Sequence, residues 1–242
     1  GPLPVWVYGH GYGSIREGAA WKPHTARRGF VTVGLDARGY NRSRVDGDPG
    51  VPGWILHGIE SPADYILRGA VADTIRAVQV ARALKGVDPK KTILQGGSFS
   101  GGLAVLAAPW INDLVYVAAS VPTFGAYDLR RNLVRRGSGH EINELLNSLT
   151  PADADTIRNN LRYFDAVNAA PFVRTPISIG LGVVDDVVPG ETVAAIYNAL
   201  GSEDKVLLDF PCAHSTHPLA RRWEEWERHV IERAETLLAN ER

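Results

Sequence analysis

Ser98 stands in the run Gly96-Gly97-Ser98-Phe99-Ser100-Gly101-Gly102, between an apolar strand-like stretch, Thr92-Ile93-Leu94, and a small-residue helical stretch, Leu103 to Ala108. This is the setting of a nucleophile elbow. A strand-to-helix turn this sharp forces strained backbone angles on the serine, so small residues must flank it two positions away on either side. Gly96 fills the first slot, and Ser100 fills the second, where glycine is usual. A glycine-rich turn of this kind also serves in α/β proteins that do no such chemistry, so the rest of the chain has to decide. Asp185 follows a strand-like stretch, Ile177 to Leu181, and His214 follows another, Val206 to Phe210. A serine hydroxyl is a poor nucleophile near neutral pH. It needs an imidazole to accept its proton, and the imidazole needs a carboxylate to fix its tautomer.

The order Ser, Asp, His, with the serine on a strand-turn-helix elbow, is that of the α/β-hydrolase arrangement. Of the seven histidines, His214 sits a few residues past the last strand-like stretch, where this arrangement puts its base. His217 is the nearest competitor, but Pro218 assigns it to the start of the last helix. His140 falls in a helical insertion. His10 and His57 fall in loops, where a hydrogen-bonded structural role is expected. Asp185 and Asp186 are adjacent and cannot both face one imidazole; Asp185 is taken as the acid and Asp186 as a solvated or capping neighbour. The tetrahedral oxyanion of acyl transfer needs two aimed backbone N–H groups. Phe99, just after the nucleophile, supplies one. The loop Gly9-His10-Gly11-Tyr12-Gly13 supplies the other, expected at Tyr12. That loop is not a dinucleotide fingerprint, because Ser14 stands where the third glycine should fall and no phosphate-loop Lys-Ser/Thr follows. The histidines and Cys212 show no metal-ligand spacing, so neither metal nor other cofactor is expected.

Those residues need a scaffold, and strand-like and helical runs alternate along the 242 residues. The pattern predicts a single α/β domain with a mostly parallel sheet and helices on both faces. The strands are expected at Val5 to Tyr8, Phe30 to Leu35, Thr92 to Leu94, Leu114 to Ala118, Ile177 to Leu181 and Val206 to Phe210. A long helix is expected to begin at the cap Ser61-Pro62-Ala63-Asp64, end near Gly86 and bury Leu67, Val71, Ile75 and Val78. The last helix carries Leu219, Trp223, Trp226, Val230, Ala234 and Leu237 on one stripe. Between strands, residues 124–168 read as a polar helical insertion placed over the active site, with a fresh cap at Thr150-Pro151-Ala152-Asp153. The Gly39 to Ile59 loop is long enough to imply function or an interface, and its Trp54, Ile55 and Leu56 argue against disorder.

Hydrophobic residues make up 45% of the chain, enough for one large core, and the net charge of −1 leaves no basic footprint for nucleic acid or an anionic membrane. No apolar run reaches the roughly 18 to 20 residues of a membrane span. One cysteine excludes an internal disulfide, which suits the cytoplasm, the expected location of a soluble protein. The chain has no methionine, even at position 1, and enters a strand by Val5. An amino-terminal portion carrying further strands is therefore expected to precede it, without which a sheet edge is left unpaired.

Together these positions resemble carbohydrate esterase family seven, the acetyl xylan esterases and cephalosporin-C deacetylases, from Gly1 to the last helix. The resemblance is carried by His10-Gly11-Tyr12, Asp36-Ala37-Arg38-Gly39, Gly53-Trp54-Ile55-Leu56-His57-Gly58-Ile59 and Tyr65-Ile66-Leu67-Arg68-Gly69. It continues through the nucleophile segment, Tyr163-Phe164-Asp165-Ala166-Val167-Asn168, Val184-Asp185-Asp186-Val187-Val188-Pro189 and Ala195-Ile196-Tyr197-Asn198. It implies a compact acyl pocket for acetylated sugars, a homo-oligomer with sites facing an inner cavity, a triad of Ser98, Asp185 and His214, and an oxyanion hole at Tyr12 and Phe99. The chain departs from the family where Phe99 replaces glutamine, Ser100 replaces glycine, Tyr40 follows Arg38-Gly39, and Ser215 follows His214 in place of glutamate. The Phe99 ring is expected to lie beside the pocket mouth and keep the acyl preference short. Competing readings are a peptidase or thioesterase on the same fold, for which no acidic pair or basic patch is obvious, and a retired hydrolase acting as a scaffold, against which retention of Ser98, Asp185 and His214 argues.

Overall fold

A computed structural model of the chain describes residues 1–13, 23–44, 50–215 and 222–240. Among the described residues, six parallel strands form one sheet: β1 (Leu3–Gly9), β2 (Val31–Leu35), β3 (Val87–Gly97), β4 (Leu114–Ser120), β5 (Ile177–Gly182) and β6 (Lys205–Phe210), in the order β2-β1-β3-β4-β5-β6. Each expected strand is present, most of them extended by a residue or more. Side chains alternate between two cores, as strand pleating requires. Val5, Val7, Leu94, Val117 and Ala119 face one, and Trp6, Tyr8, Ile93, Tyr116 and Ala118 face the other.

Helices α1 (Pro23–Ala26), α2 (Ile66–Arg82), α3 (Phe99–Ala107), α4 (Tyr127–Leu133), α5 (Ser138–Ser148), α6 (Pro151–Leu161), α7 (Ala166–Ala169), α8 (Gly190–Ala199) and α9 (Arg222–Asn240) connect the strands or follow the last. The helix α9 buries Trp226, Val230 and Ala234 on the second face. Gly180 admits the indole, since a Cβ there would lie 3.0 Å from Trp226 Cε3. Leu219, His217 and Pro218 lie outside the described residues.

Two helical expectations are corrected. Ser61-Pro62-Ala63-Asp64 does not cap α2, which starts at Ile66 with extended Tyr65 before it. The capping residues instead close a turn in which Ser61 O accepts from Asp64 N and Tyr65 N, while Ile66 N donates back to His57 O. The sheet-facing stripe of α2 is Leu67, Ala70, Thr74, Val78 and Ala81; Val71 and Ile75 sit half-buried on its flank. Small residues at Ala70, Thr74 and Ala81 let the helix approach closely.

Helices α4 to α7 occupy the segment between β4 and β5. Thr150 caps α6 by accepting from Asp153 N, with Pro151 in the first turn. Asp165 closes the segment on itself: its carboxylate accepts from Ala126 N, Tyr127 N and Val167 N at 2.9 to 3.1 Å. One buried carboxylate thus satisfies free N–H groups at the starts of α4 and α7.

Candidate active site

In a parallel sheet the chain leaves every strand at the same edge, and a crevice opens there where the strand order reverses. Here that point lies between β1 and β3, since β2 is on one side of β1 and β3 on the other. The loop after β1 carries His10 to Gly13, and the turn after β3 carries Ser98. Asp185 follows β5 and His214 follows β6, at the same edge.

Ser98 has φ 55 and ψ −113, a conformation that non-glycine residues adopt only when the surroundings enforce it. Here Ser98 N donates to Ser120 O at 2.9 Å, and Ser98 O accepts from Gly102 N at 3.0 Å and Thr123 N at 3.2 Å. The need for small neighbours is steric. A Cβ on Gly96 would sit 2.2 Å from Ser100 O, and one on Gly102 2.3 Å from Thr123 O. Ser100 is buried, donates to Gly97 O and accepts from Gly97 N, so its hydroxyl is committed to bracing the turn. Ser98, half-buried, is the serine of the elbow that remains accessible.

Asp185 and His214 form a pair, with His214 Nδ1 2.8 Å from Asp185 Oδ2. The other carboxylate oxygen accepts from Val187 N at 2.8 Å and Val188 N at 2.9 Å, which locks the carboxylate plane and leaves its side chain with no solvent exposure. An ionised carboxylate only accepts, so His214 carries its proton on Nδ1 and presents Nε2 as a base. Asp186 points outward to a two-pronged pair with Arg136 at 2.7 and 2.8 Å. No hydrogen bond joins Ser98 to His214 among the described residues; such contacts commonly tighten only when substrate is bound. Helix α4 and the residues just after it brace this turn. Arg135 N donates to Asp186 O at 2.9 Å, and buried Arg130 donates to Val187 O at 3.2 Å and to Thr123 Oγ1. Burial depresses the Arg130 pKa, while the nearby negative charges of Asp185 and Asp165 oppose that shift.

The loop after β1 is held by His10, a buried residue whose Nδ1 lies 2.9 Å from Gly11 O and whose Nε2 accepts from Ala37 N at 3.1 Å. Burial lowers its pKa and keeps it neutral, as these two contacts require. Tyr12 donates its hydroxyl to Glu141 Oε2 at 2.9 Å. The N–H of Phe99 is the first of α3 and has no intrahelical partner. Its ring, however, does not border a pocket mouth. Phe99 is only 1% exposed and packs among His10, Tyr12, Tyr40, Trp54 and Phe124, with centroids 5.0 to 6.0 Å away. Trp54 and Tyr40, contributed by the long loop, enclose it. His57 and His140 are exposed, the latter 3.4 Å from Glu144. Sequence reasoning missed Arg130 and Glu141, whose contacts span 57 and 129 residues.

The acetyl xylan esterase (AXE1) family profile matches residues 1–225. Acetyl esterase Axe7A of Xylanibacter ruminicola is 24% identical over 192 residues, 76% of this chain but only 42% of that relative's length. Among solved structures, the acetyl xylan esterase from Paenibacillus sp. R4 superposes with a TM-score of 0.82 at 26% identity, covering 96% of this chain and 74% of the other. Acetyl xylan esterase 1 from Thermoanaerobacterium sp. JW/SL YS485 superposes at 0.83 with 23% identity, covering 97% and 75%. Both carry the α/β-hydrolase fold seen here.

Proposed function

Since the chain belongs to the acetyl xylan esterase family, we propose that it is a serine esterase releasing acetate, or a similarly short acyl group, from acetylated carbohydrates. The observation that carries the reading is the Asp185–His214 pair, placed at the same sheet edge as a strained and accessible Ser98. In the proposed mechanism His214 Nε2 takes the Ser98 proton as Oγ attacks the ester carbonyl. The oxyanion is received by the N–H groups of Phe99 and Tyr12. Its collapse expels the alcohol, which leaves with the proton from His214, and acyl-Ser98 remains. Water then attacks the acyl carbon with His214 again as base, and acetate and free Ser98 result. Asp185 holds the Nδ1–H tautomer throughout and stabilises the imidazolium.

The test is a panel of aryl acetate, propionate and butyrate with acetylated xylose, each with the parent and Ser98→Ala. The reading expects acetate release from the sugar, and kcat/KM for acetate at least about tenfold above butyrate, equivalent to roughly 1.4 kcal/mol. Activity retained by folded Ser98→Ala, or hydrolysis confined to butyrate, contradicts it.

A further inference from the structure

We propose that Glu141, in the helical segment between β4 and β5, is a positioning residue for the oxyanion hole, acting through the side chain of Tyr12. The inference rests on the serine-esterase reading above and adds to it a residue that touches neither substrate nor the triad.

Tyr12 stands between Gly11 and Gly13, and Gly13 has φ 71. Glycines on both sides leave the backbone free to rotate, so its N–H is aimed only if the side chain is anchored. The ring is gripped by Phe99, Tyr40 and Trp54, with centroids 6.0 to 6.5 Å away. Its hydroxyl is gripped from both sides, accepting from Ile55 N at 3.3 Å and donating to Glu141 Oε2 at 2.9 Å. The same carboxylate oxygen accepts from Gly53 N at 2.8 Å. One oxygen of α5 therefore ties the loop after β1 to the turn at Trp54–Leu56, and neither donor lies on its own helix. Burial and the adjacent carboxylate push the phenol pKa well above its ordinary value, so the hydroxyl stays protonated and continues to donate.

This geometry separates three substitutions. Glu141→Gln retains a carbonyl oxygen able to accept both bonds. Glu141→Leu removes the acceptor. Tyr12→Phe deletes the hydroxyl but leaves the backbone N–H. A misplacement of about 1 Å at a catalytic group costs on the order of 100-fold in rate, and loss of an oxyanion donor costs about 100- to 1,000-fold. Partial release of Tyr12 is therefore expected to lower kcat for aryl acetate by about 30- to 100-fold and leave KM within about threefold, because the N–H matters only once the oxyanion forms.

The experiment measures kcat and KM for aryl acetate in the parent, Ser98→Ala, Glu141→Leu, Glu141→Gln, Tyr12→Phe and the Glu141→Leu/Tyr12→Phe double variant, with circular dichroism on each. The expected result is a kcat loss shared by Glu141→Leu and Tyr12→Phe, rescue by Glu141→Gln to within about fivefold of the parent, and a double variant no worse than about threefold below either single. The proposal is overturned by a folded Glu141→Leu with parental kcat, by Glu141→Gln as damaged as Glu141→Leu, or by losses that multiply in the double variant. If Glu141→Leu does not fold, Tyr12→Phe decides, and parental kcat there overturns the proposal. An inactive parent, or an active Ser98→Ala, removes the esterase reading and this inference together; failure at Glu141 alone leaves the esterase reading standing.

Discussion

Asp185→Asn isolates the chemical role of the acid from its structural one. The carboxylate makes three hydrogen bonds, two from Val187 N and Val188 N to one oxygen and one with His214 Nδ1 to the other. An amide can satisfy only one side with its oxygen. Turning the oxygen toward the two backbone N–H groups preserves the turn, but then the NH2 faces His214 and Nδ1 must become an acceptor. The imidazole proton moves to Nε2, which can no longer take the Ser98 proton. Comparable triads lose about 10⁴ in kcat on this change, or about 5.4 kcal/mol of transition-state stabilisation. Stability should barely move. Asp185→Ala differs, because it strands two buried N–H groups at roughly 1 to 3 kcal/mol each. Asp186→Ala serves as the control: its pair with Arg136 is exposed, so kcat should stay within about threefold and stability within about 1 kcal/mol. The assays are aryl acetate hydrolysis and denaturant unfolding on all three. An Asp185→Asn variant retaining more than about a tenth of parental kcat would refute the tautomer argument, since it requires loss of the base rather than its weakening.

Further outcomes follow from packing and burial. Gly96→Ala would push a Cβ to 2.2 Å from Ser100 O and 2.6 Å from Gly101 N, backbone atoms that cannot step aside. We expect a loss of about 3 kcal/mol or failure to fold, read by thermal unfolding, together with lost turnover; a parental melting curve contradicts the crowding argument. Phe99→Gln places an amide inside a closed aromatic cluster and should cost about 2 to 4 kcal/mol in chemical denaturation while leaving the acetate-to-butyrate ratio unchanged. A changed ratio without lost stability would return the ring to the pocket. His10 is held neutral by burial, so its folded pKa lies below its unfolded value of about 6.5. Its contribution to stability is whole above that value and declines as pH falls toward the lower folded pKa, because only the unfolded chain takes up the proton. Denaturant midpoints at pH 5 and pH 8 should differ more for the parent than for His10→Gln; equal differences would remove His10 from the acid response.

The strands were legible because each contains a short apolar-rich run, as strands of a parallel sheet covered on both faces do, and in Val5 to Tyr8 successive apolar residues go to opposite cores. The elbow was legible because its tightest constraint is local: Gly96 crowds against the backbone of Ser100 and Gly101, while Gly101 and Gly102 crowd against the chain at and just after the end of β4, and Gly97 against the Ser120 hydroxyl. The start of α2 was misread because a capping sequence satisfies a tight turn equally well, and His57 O was available to take the Ile66 N–H. The direction of the Phe99 ring was misread for a different reason. Which side of the turn the ring fills is decided by Trp54 and Tyr40, brought in by a distant loop. Glu141 and Arg130 had no local signature at all: one is an ordinary helical glutamate and the other an ordinary helical arginine until the fold brings them to Tyr12 and Val187.

The central claim, that Ser98 is the nucleophile of an acyl-transfer site, is tested most directly by an organophosphate that traps serine hydrolases at the tetrahedral stage. The protein is treated with diethyl aryl phosphate while esterase activity is followed, then digested and mapped by mass spectrometry. The account predicts one diethylphosphoryl group per chain, located on Ser98, appearing in step with the loss of aryl acetate hydrolysis and absent from Ser98→Ala. Labelling of Ser100 instead, or full activity with Ser98 modified, would contradict it.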